Sequence, residues 1–269
     1  MSEGKKEILL GDCLELMKDI PNGSIDMILC DLPYGTTACK WDAIIPFDKL
    51  WEQYERIIKT NGAMVLFGGE PFSSALRMSN IKNYKYEWYW KKNLPSGFQL
   101  VNKQPQRCIE NILIFYQKQC TYNKQLRKTI IDYRSVIHGN IDNYDKTSEH
   151  NLGNYFNNGK RRERKETKDL MVNPVNYLEI KCVPRRVGYL HPTQKPVELF
   201  EYLIKTYSNE GELILDNCAG SGTTAIACLN TNRQFIVMEK EQKYYDIILK
   251  RVDDFNKNFK PQTLFGSEM

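Results

Sequence analysis

The sequence of 269 residues predicts an α/β fold in two blocks, a mostly parallel sheet flanked by helices, with a basic insertion between the blocks. Three observations carry this. Residues 7–118 alternate short apolar runs with amphipathic stretches. From about Thr121 the apolar periodicity largely disappears, and Asn, Tyr, Lys and Arg become frequent. At Pro196 the periodicity returns as helix, strand, glycine-rich loop, helix, strand and helix.

The first block predicts strands at Glu7–Leu10, Ile25–Cys30, Ala63–Phe67, Tyr84–Trp90 and Asn111–Tyr116, each a short apolar or aromatic run. Within Phe47–Lys59, Leu50, Trp51, Tyr54, Ile57 and Ile58 recur at helical spacing, and Asn61-Gly62 is expected to end that helix. Trp88 and Trp90, two apart, share one side of their strand and are expected to pack in the core. Lys91 to Gly97 is expected to leave the strand as a loop, in which Lys91 and Lys92 either contact a nucleic-acid backbone or face solvent. The second block predicts a helix Val197–Tyr207, a strand Leu213–Asp216 and a helix from about Thr223 to Leu229. A strand Phe235–Met238 and a final helix Gln242–Phe255 follow.

With 41% hydrophobic residues the chain can bury a sizeable core, and 26% charged residues is ordinary for a soluble protein. No apolar run approaches the roughly 20 residues of a membrane helix. The stretch Met1–Ile8 is charged, without the apolar core of a signal peptide, so the cytoplasm is the expected location. Eight scattered cysteines with no Cys-x-x-Cys pair favour reduced thiols over disulfides or a metal site. The net charge of +5 is unevenly placed. Between Thr121 and Leu190 there are 14 basic and 8 acidic residues, a balance of +6, which leaves −1 for the remainder. Such a localised surplus suits either a polyanion or a solvated basic loop.

Asp216-Asn217-Cys218-Ala219-Gly220-Ser221-Gly222-Thr223-Thr224 follows an apolar strand and opens a helix. Its two glycines let the backbone approach a ligand whose far side meets helix-start amides. The third glycine of a dinucleotide fingerprint is missing, and no Gly-Lys-Ser/Thr is present, which argues against a phosphate-cradling loop. Glu239 stands after the next strand, where a carboxylate can accept hydrogen bonds from both hydroxyls of a ribose. Asp216 is placed to meet a positive charge. Together these suit a nucleoside with a cationic, non-phosphorylated tail, such as S-adenosylmethionine. Gly-x-Gly alone is equally a tight strand-to-helix turn, and Thr223 and Thr224 alone read more readily as helix caps.

Asp31-Leu32-Pro33-Tyr34-Gly35 follows the apolar strand Ile25–Cys30. The exocyclic amine of adenine or cytosine gives its lone pair to the ring and is a poor nucleophile. A carboxylate and a backbone carbonyl that both accept its N–H bonds favour a more tetrahedral nitrogen. Proline stiffens the turn, and an aromatic neighbour can stack on a base that has left its helix. In isolation the tetrapeptide is also readable as a strand-ending turn.

Together the two motifs resemble those of the DNA amino-methyltransferases, with Asp-Pro-Pro-Tyr and Phe-x-Gly-x-Gly signatures. The order here, acid-aromatic motif, basic insertion, glycine loop, is similar to the beta group. The resemblance runs from about Glu7 to Val252. It implies a permuted seven-stranded Rossmann-like methyltransferase sheet with an inserted target-recognition region. The implied layout is an N-terminal half over 1–118, the recognition insertion over 119–190, a C-terminal half over 191–256 and a tail over 257–269. It implies S-adenosylmethionine as cofactor, double-stranded DNA as partner, and Asp31, Leu32, Pro33 and Tyr34 at the target amine. Asp31 and the Leu32 carbonyl would hold that amine, and Tyr34 would stack on the base. Cofactor contacts are implied for Asp12 with its neighbour Cys13, for Thr193 and Lys195 of His191-Pro192-Thr193-Gln194-Lys195-Pro196, and for Asp216, Asn217, Gly220, Gly222, Thr223 and Glu239. Arg161, Arg162, Arg164, Arg185 and Arg186 would join Lys91 and Lys92 at the nucleic acid. An acid heading the motif is typical of adenine-N6 enzymes and serine of cytosine-N4 enzymes, so Asp31 favours adenine.

Three departures stand out. Leu32 replaces the first proline, Cys218 stands where phenylalanine is common, and Cys108-Ile109-Glu110 stands where a His-Glu pair often begins a strand. Other readings stay open: cytosine-N4 methylation, the same chemistry on RNA or protein, or a non-catalytic DNA-binding subunit. A nicotinamide oxidoreductase suffers from the missing third glycine. The resemblance leaves room for a homodimer and a cognate restriction endonuclease, and the sequence carries no sign of either.

Overall fold

A computed structural model describes residues 5–36, 42–129, 170–183 and 190–258. The chain divides into two compact units, Met1–Asn123 with Val175–Met269, and Lys124–Pro174. In the first unit the strands are β1 (Lys6–Leu10), β2 (Ile25–Cys30), β3 (Ile58–Gly68), β4 (Tyr84–Ser96) and β5 (Arg107–Phe115). The second unit contributes β6 (Arg127–Thr129) and β7 (Leu170–Val172), an antiparallel pair in which the Arg127 Nε–H also donates to the Asn173 carbonyl at 3.3 Å. Back in the first unit are β8 (Tyr177–Glu179), β9 (Leu213–Asp216) and β10 (Gln234–Glu239). The helices are α1 (Cys13–Leu16), α2 (Phe47–Ile57), α3 (Phe72–Ser79), α4 (Val197–Tyr207), α5 (Thr223–Asn230) and α6 (Gln242–Asn258).

The main sheet has eight strands in the order β1-β10-β9-β2-β3-β5-β4-β8. From β1 through β3 the pairings are parallel, β5 runs antiparallel to both its neighbours, and β8 is parallel to β4. Seven strands were expected. The eighth is Tyr177–Glu179, read from sequence as part of the insertion, which pairs Leu178 with Trp90 along the β4 edge. The C-terminal strands β9 and β10 lie between β1 and β2, so the two sequence blocks share one sheet.

Alternation along the strands builds a core on each face. Met27, Leu29, Ala63, Val65 and Phe67 meet α4 through Leu199, Phe200, Leu203 and Ile204. The intervening Ile28, Cys30, Met64 and Leu66 meet α2 through Leu50, Trp51, Tyr54 and Ile57. Each such apolar side chain contributes roughly 1.5–3 kcal/mol by leaving water. Trp88 and Trp90 are core residues as expected, with indole N–H groups that donate to Tyr207 Oη at 2.6 Å and to the Ile180 carbonyl at 2.8 Å.

Some sequence expectations need correction. Helix α2 ends at Ile57, and Asn61-Gly62 does not end it but lies within β3. The register passes from Ile25↔Ile58 to Met27↔Ala63, so Lys59–Gly62 bulges out of the ladder. A Cβ at Gly62 would stand 2.8 Å from the Asp26 carbonyl oxygen, which is why glycine occupies this bulge. Strand β4 runs on to Ser96, so Lys91 and Lys92 belong to a strand and not to a loop. Helix α3 carried no sequence expectation. It buries three residues, Phe72, Ser73 and Leu76, one of them polar, too short a pattern to read as a period. No helix among the described residues is long and apolar enough to cross a membrane.

Candidate active site

The sheet order brings the two motifs together. Parallel pairing of Met27 with Ile214 and Ile28 with Leu215 makes β2 and β9 end side by side. The chain leaves β2 at Asp31 and β9 at Asp216. On the other side of β9, β10 ends at Glu239, which pairs with Leu10 just before Gly11-Asp12. All these ends open into one cleft of about 1400 Å³, lined by both motifs and by His191 to Lys195. Ligands of parallel α/β sheets bind at this carboxyl edge.

The Asp31 turn is held from several sides. Leu32, which replaces the first proline, is buried in the α2-side core and anchors the turn by its side chain. The Asp42 carboxylate accepts from the Gly35 and Thr36 amides, both at 2.9 Å. Tyr34 stacks on Phe72 with ring centroids 5.0 Å apart, and its hydroxyl donates to Asp31 Oδ1 at 2.8 Å. Burial pushes the Asp31 carboxyl above its ordinary range, against the opposing pull of the Lys195 ammonium.

Lys195 lies between the motifs. Its Nζ donates to Asp31 Oδ2 at 2.5 Å and stands 3.4 Å from Glu110 Oε2, while Lys92 Nζ donates to Glu110 Oε1 at 2.8 Å. Burial opposes charge on Lys195, yet Asp31 and Glu110 hold its pKa well above the ordinary lysine range. Glu110 is likewise buried, and the Lys195 and Lys92 charges keep its carboxyl below the ordinary range. The backbone carbonyl of Lys195 accepts from Thr223 Oγ1 at 3.3 Å, so one residue touches both motifs.

The glycine loop is built on internal carboxylates. Asp216 accepts from the Cys218 amide at 3.0 Å through Oδ1 and from the Thr224 hydroxyl through Oδ2. It is 2% exposed, and burial raises its pKa to about 6. Asp216 therefore shapes the loop from beneath while also lining the cleft, with one hydrogen bond already on each of its oxygens. Glu239 accepts from the Gly220 amide (Oε2, 2.8 Å) and the Glu241 amide (Oε1, 2.8 Å) at the cleft wall, and burial raises its pKa. Gly220 and Gly222 have φ of +53° and +78°, in the left-handed region that favours glycine. Asn217 Oδ1 accepts from the Tyr54 hydroxyl at 2.5 Å. Asp12 caps α1 through the Leu14 amide at 2.9 Å and lies 3.9 Å from Lys240 Nζ. The neighbouring Cys218 thiol lowers the Cys13 pKa, whereas burial pushes that of Cys30 up to about 12. The seven cysteines among the described residues are all free. Thr193 donates its amide (3.3 Å) to His191 Nδ1, with its hydroxyl 3.1 Å from the same nitrogen. The His191 ring lies edge-on to Tyr244 at 4.3 Å and beside Gly220. Burial, aided by the Lys195 and Lys243 charges, lowers its pKa to about 4, so the ring is neutral.

Every acid-motif and cofactor-loop residue named from sequence that lines this cleft does so from one side of the sheet, with Gly222 one step behind at the head of α5. The nucleic-acid candidates fare differently. Lys92 is turned inward to Glu110, with a side chain only 10% exposed, and Lys91 pairs with Glu179 at 2.8 Å. Arg161, Arg162, Arg164, Arg185 and Arg186 lie outside the described residues. Sequence reasoning gave no role to Glu110, Asp42, Phe72 or Tyr54. Tyr54 was read only as a core position of its helix, and Glu110 only within the Cys108-Ile109-Glu110 departure.

This topology, with a cleft across the carboxyl ends of its central strands, is that of a Rossmann-like α/β fold of the methyltransferase type. The chain belongs to the DNA methylase family, whose N6/N4 methyltransferase model matches residues 25–250. It is 28% identical over 268 residues to the DNA adenine methyltransferase YhdJ of Escherichia coli strain K12, covering 92% of this chain and 83% of that one. Among solved structures it resembles the M1.HpyAVI–SAM complex (TM-score 0.58, 23% identity, 91% of this chain and 98% of that one). It also resembles the cytosine-N4-specific PvuII DNA methyltransferase (TM-score 0.62, 17% identity, 94% and 92%).

Proposed function

We propose that the chain transfers a methyl group from S-adenosylmethionine to the N6 amine of adenine in double-stranded DNA, at a defined site, after the base has been flipped from the helix. The observation that carries this reading is the single cleft shared by Asp31 and the Gly220 loop, at the adjacent ends of β2 and β9. Family membership supplies DNA as substrate, and the SAM complex of M1.HpyAVI supports the cofactor. Asp31, an acid where cytosine-N4 enzymes typically carry serine, supports adenine, as does the likeness to an adenine methyltransferase.

The residues present fit the cofactor. Glu239 faces the cleft with its carboxylate braced by two amides, so its outer lone pairs are aimed at ribose hydroxyls. Asp12, at the neighbouring strand end, suits the adenine edge, and Cys13 and Asn217 form the floor. Thr193 beside His191, with Gly220 and Ser221, lines the wall that would meet the methionine tail. When bound, the cofactor supplies an electrophilic methyl on a sulfonium. The chain does the rest. Asp31 and the Leu32 carbonyl accept the two N–H bonds of the target amine and draw its lone pair out of the ring. Pro33 fixes the direction of that carbonyl, and Tyr34 offers its ring to the base face.

Long-read sequencing of DNA from a methylase-deficient host that expresses the chain tests this. N6-methyladenine at one recurrent motif is the expected result. N4-methylcytosine would overturn the adenine assignment, and unmodified DNA with methylated RNA or protein would overturn the substrate.

A further inference from the structure

In the resting site the acceptor that the proposed function assigns to the target amine is already taken. Asp31 Oδ1 holds the Tyr34 hydroxyl and Oδ2 holds the Lys195 ammonium at 2.5 Å. That ammonium also lies over the Tyr34 ring, 5.8 Å from its centroid. Lys195 thus occupies the two places where a flipped base would be held, beside the carboxylate and over the phenol.

A second acceptor waits next to it. Glu110 Oε1 is engaged by Lys92, but Glu110 Oε2 is buried and accepts no hydrogen bond among the described residues. It stands 3.4 Å from Lys195 Nζ. Charge-assisted N–H···O bonds close to about 2.8 Å, so the ammonium needs to approach by only roughly half an ångström to bond there. A buried carboxylate oxygen without a donor is costly, and proteins rarely leave one so. Here it faces the Lys195 ammonium, which stands between the same two acids.

We propose that Glu110 is the second station of Lys195. In the resting enzyme Lys195 sits on Asp31 and favours the charged form of that carboxyl against its burial. When the target base enters, Lys195 transfers its hydrogen bond to Glu110 Oε2, which frees Asp31 Oδ2 for the base amine. No charge enters or leaves the cluster: two ammonium groups, Lys92 and Lys195, balance Asp31 and Glu110 in both arrangements. Lys92 holds Glu110 in place throughout. Glu110 and Lys195 are positioning residues in this scheme, acting on the base through Asp31. The proposal rests on the methyl-transfer reading above.

The test is a double-variant cycle in single-turnover methyl transfer to DNA, with S-adenosylmethionine binding measured by calorimetry in parallel. Glu110→Gln keeps the shape but removes the charge that draws Lys195 away. It is expected to leave cofactor affinity within about threefold while slowing transfer at least tenfold, and to lower the fluorescence of 2-aminopurine placed at the target. Lys195→Met removes the charge that opposes burial, so its transfer rate is expected to rise with pH until Asp31 is ionised. At that higher pH, Glu110→Gln is expected to cost less than about twofold in the Lys195→Met background, because nothing remains to be moved. A purely structural Glu110 gives losses that multiply in the double variant, and that result overturns the proposal, as does a Glu110→Gln enzyme with the unaltered rate. Should Glu110→Gln fail to fold, Glu110→Asp, which withdraws the carboxylate by one methylene, enters the same cycle under the same criteria. An unsubstituted chain that methylates no DNA refutes the underlying function instead, so the two failures are distinct.

Discussion

Replacing Gly222 by alanine tests whether the cofactor loop has the packed, left-handed geometry described here. Two costs are separable. At φ +78° an L-residue crowds its own carbonyl, at about 1–2 kcal/mol. The new methyl would also lie 2.9 Å from Ile248 Cγ2 and 3.0 Å from Cγ1, well inside the roughly 3.5–4.0 Å of favourable carbon contact. Ile248 is fully buried and has no room to retreat, so overpacking adds about 1–3 kcal/mol. The sum, about 2–5 kcal/mol, is a large part of the roughly 5–15 kcal/mol that holds a domain folded. Urea unfolding measures it as a lower midpoint at unchanged slope. Ile248→Ala alone costs about 2–5 kcal/mol through its cavity. In the double variant the alanine methyl at 222 enters that cavity, so the two losses should fall short of additive by roughly the overpacking share, about 1–3 kcal/mol. Strict additivity, or a Gly222→Ala loss below about 1 kcal/mol, would refute the geometry.

Asp31→Ala leaves Glu110 as the shared partner of Lys195 and Lys92, so the cluster keeps an ion pair for Lys195 but is one negative charge short. The variant should fold and bind S-adenosylmethionine within a few-fold of the parent in calorimetry, while tritium transfer to DNA falls by at least about 10²-fold; retained transfer removes Asp31 from the chemistry. Glu239→Gln exchanges one of two amide acceptors for an amide donor, and loss of a hydrogen bond to a charged group, about 1.5–3 kcal/mol, predicts roughly 10- to 100-fold weaker cofactor binding. The pH profile of single turnover follows from the upward shift of Asp31, whose dominant cause is burial. Only the ionised form accepts both a lysine and an amine, so the rate should fall on acidification with an apparent pKa above the ordinary aspartate value of about 3.9. Lys195→Met, which removes the opposing charge, should move that limb to higher pH. A limb at or below the ordinary value would contradict the burial of Asp31.

What the sequence made legible follows from what periodicity and short motifs can encode. Strands β2, β9 and β10 are apolar runs that end in an acid or a glycine loop, so both their position and the chemistry at their ends were readable. The end of α2 was not. Asn61-Gly62 carries the composition of a helix stop, but its glycine answers to the Asp26 carbonyl across a bulge, a contact created only when β3 pairs with β2. Lys92 illustrates the same limit. In sequence it stands in a lysine pair before Asn-Leu-Pro, which reads as an exposed loop, yet the alternation of β4 turns Lys91 outward to Glu179 and Lys92 inward to Glu110. Glu110 is the plainest omission. Its partners lie 18 and 85 positions away along the chain, and no local pattern announces a carboxylate whose meaning comes from lysines on two other segments.

Lys195 also explains why the permuted chain order need not separate the two halves of the reaction. The segment from His191 to Pro196 enters the second block just before α4. Its lysine side chain reaches the acids of the first block, while its lysine carbonyl accepts from Thr223 at the head of the cofactor loop. A shift of the loop is therefore passed to the Lys195 backbone, and from there to the hydrogen bond on Asp31 Oδ2, through two contacts. In the proposed reaction this gives cofactor binding a physical route to the base acceptor. Thr223→Val cuts the first contact and keeps the side-chain volume. If the route operates, that variant should weaken the response of base entry to added cofactor, read as the S-adenosylmethionine-dependent rise in 2-aminopurine fluorescence, more than it weakens cofactor affinity. Equal losses in both would mean that Thr223 serves only the loop.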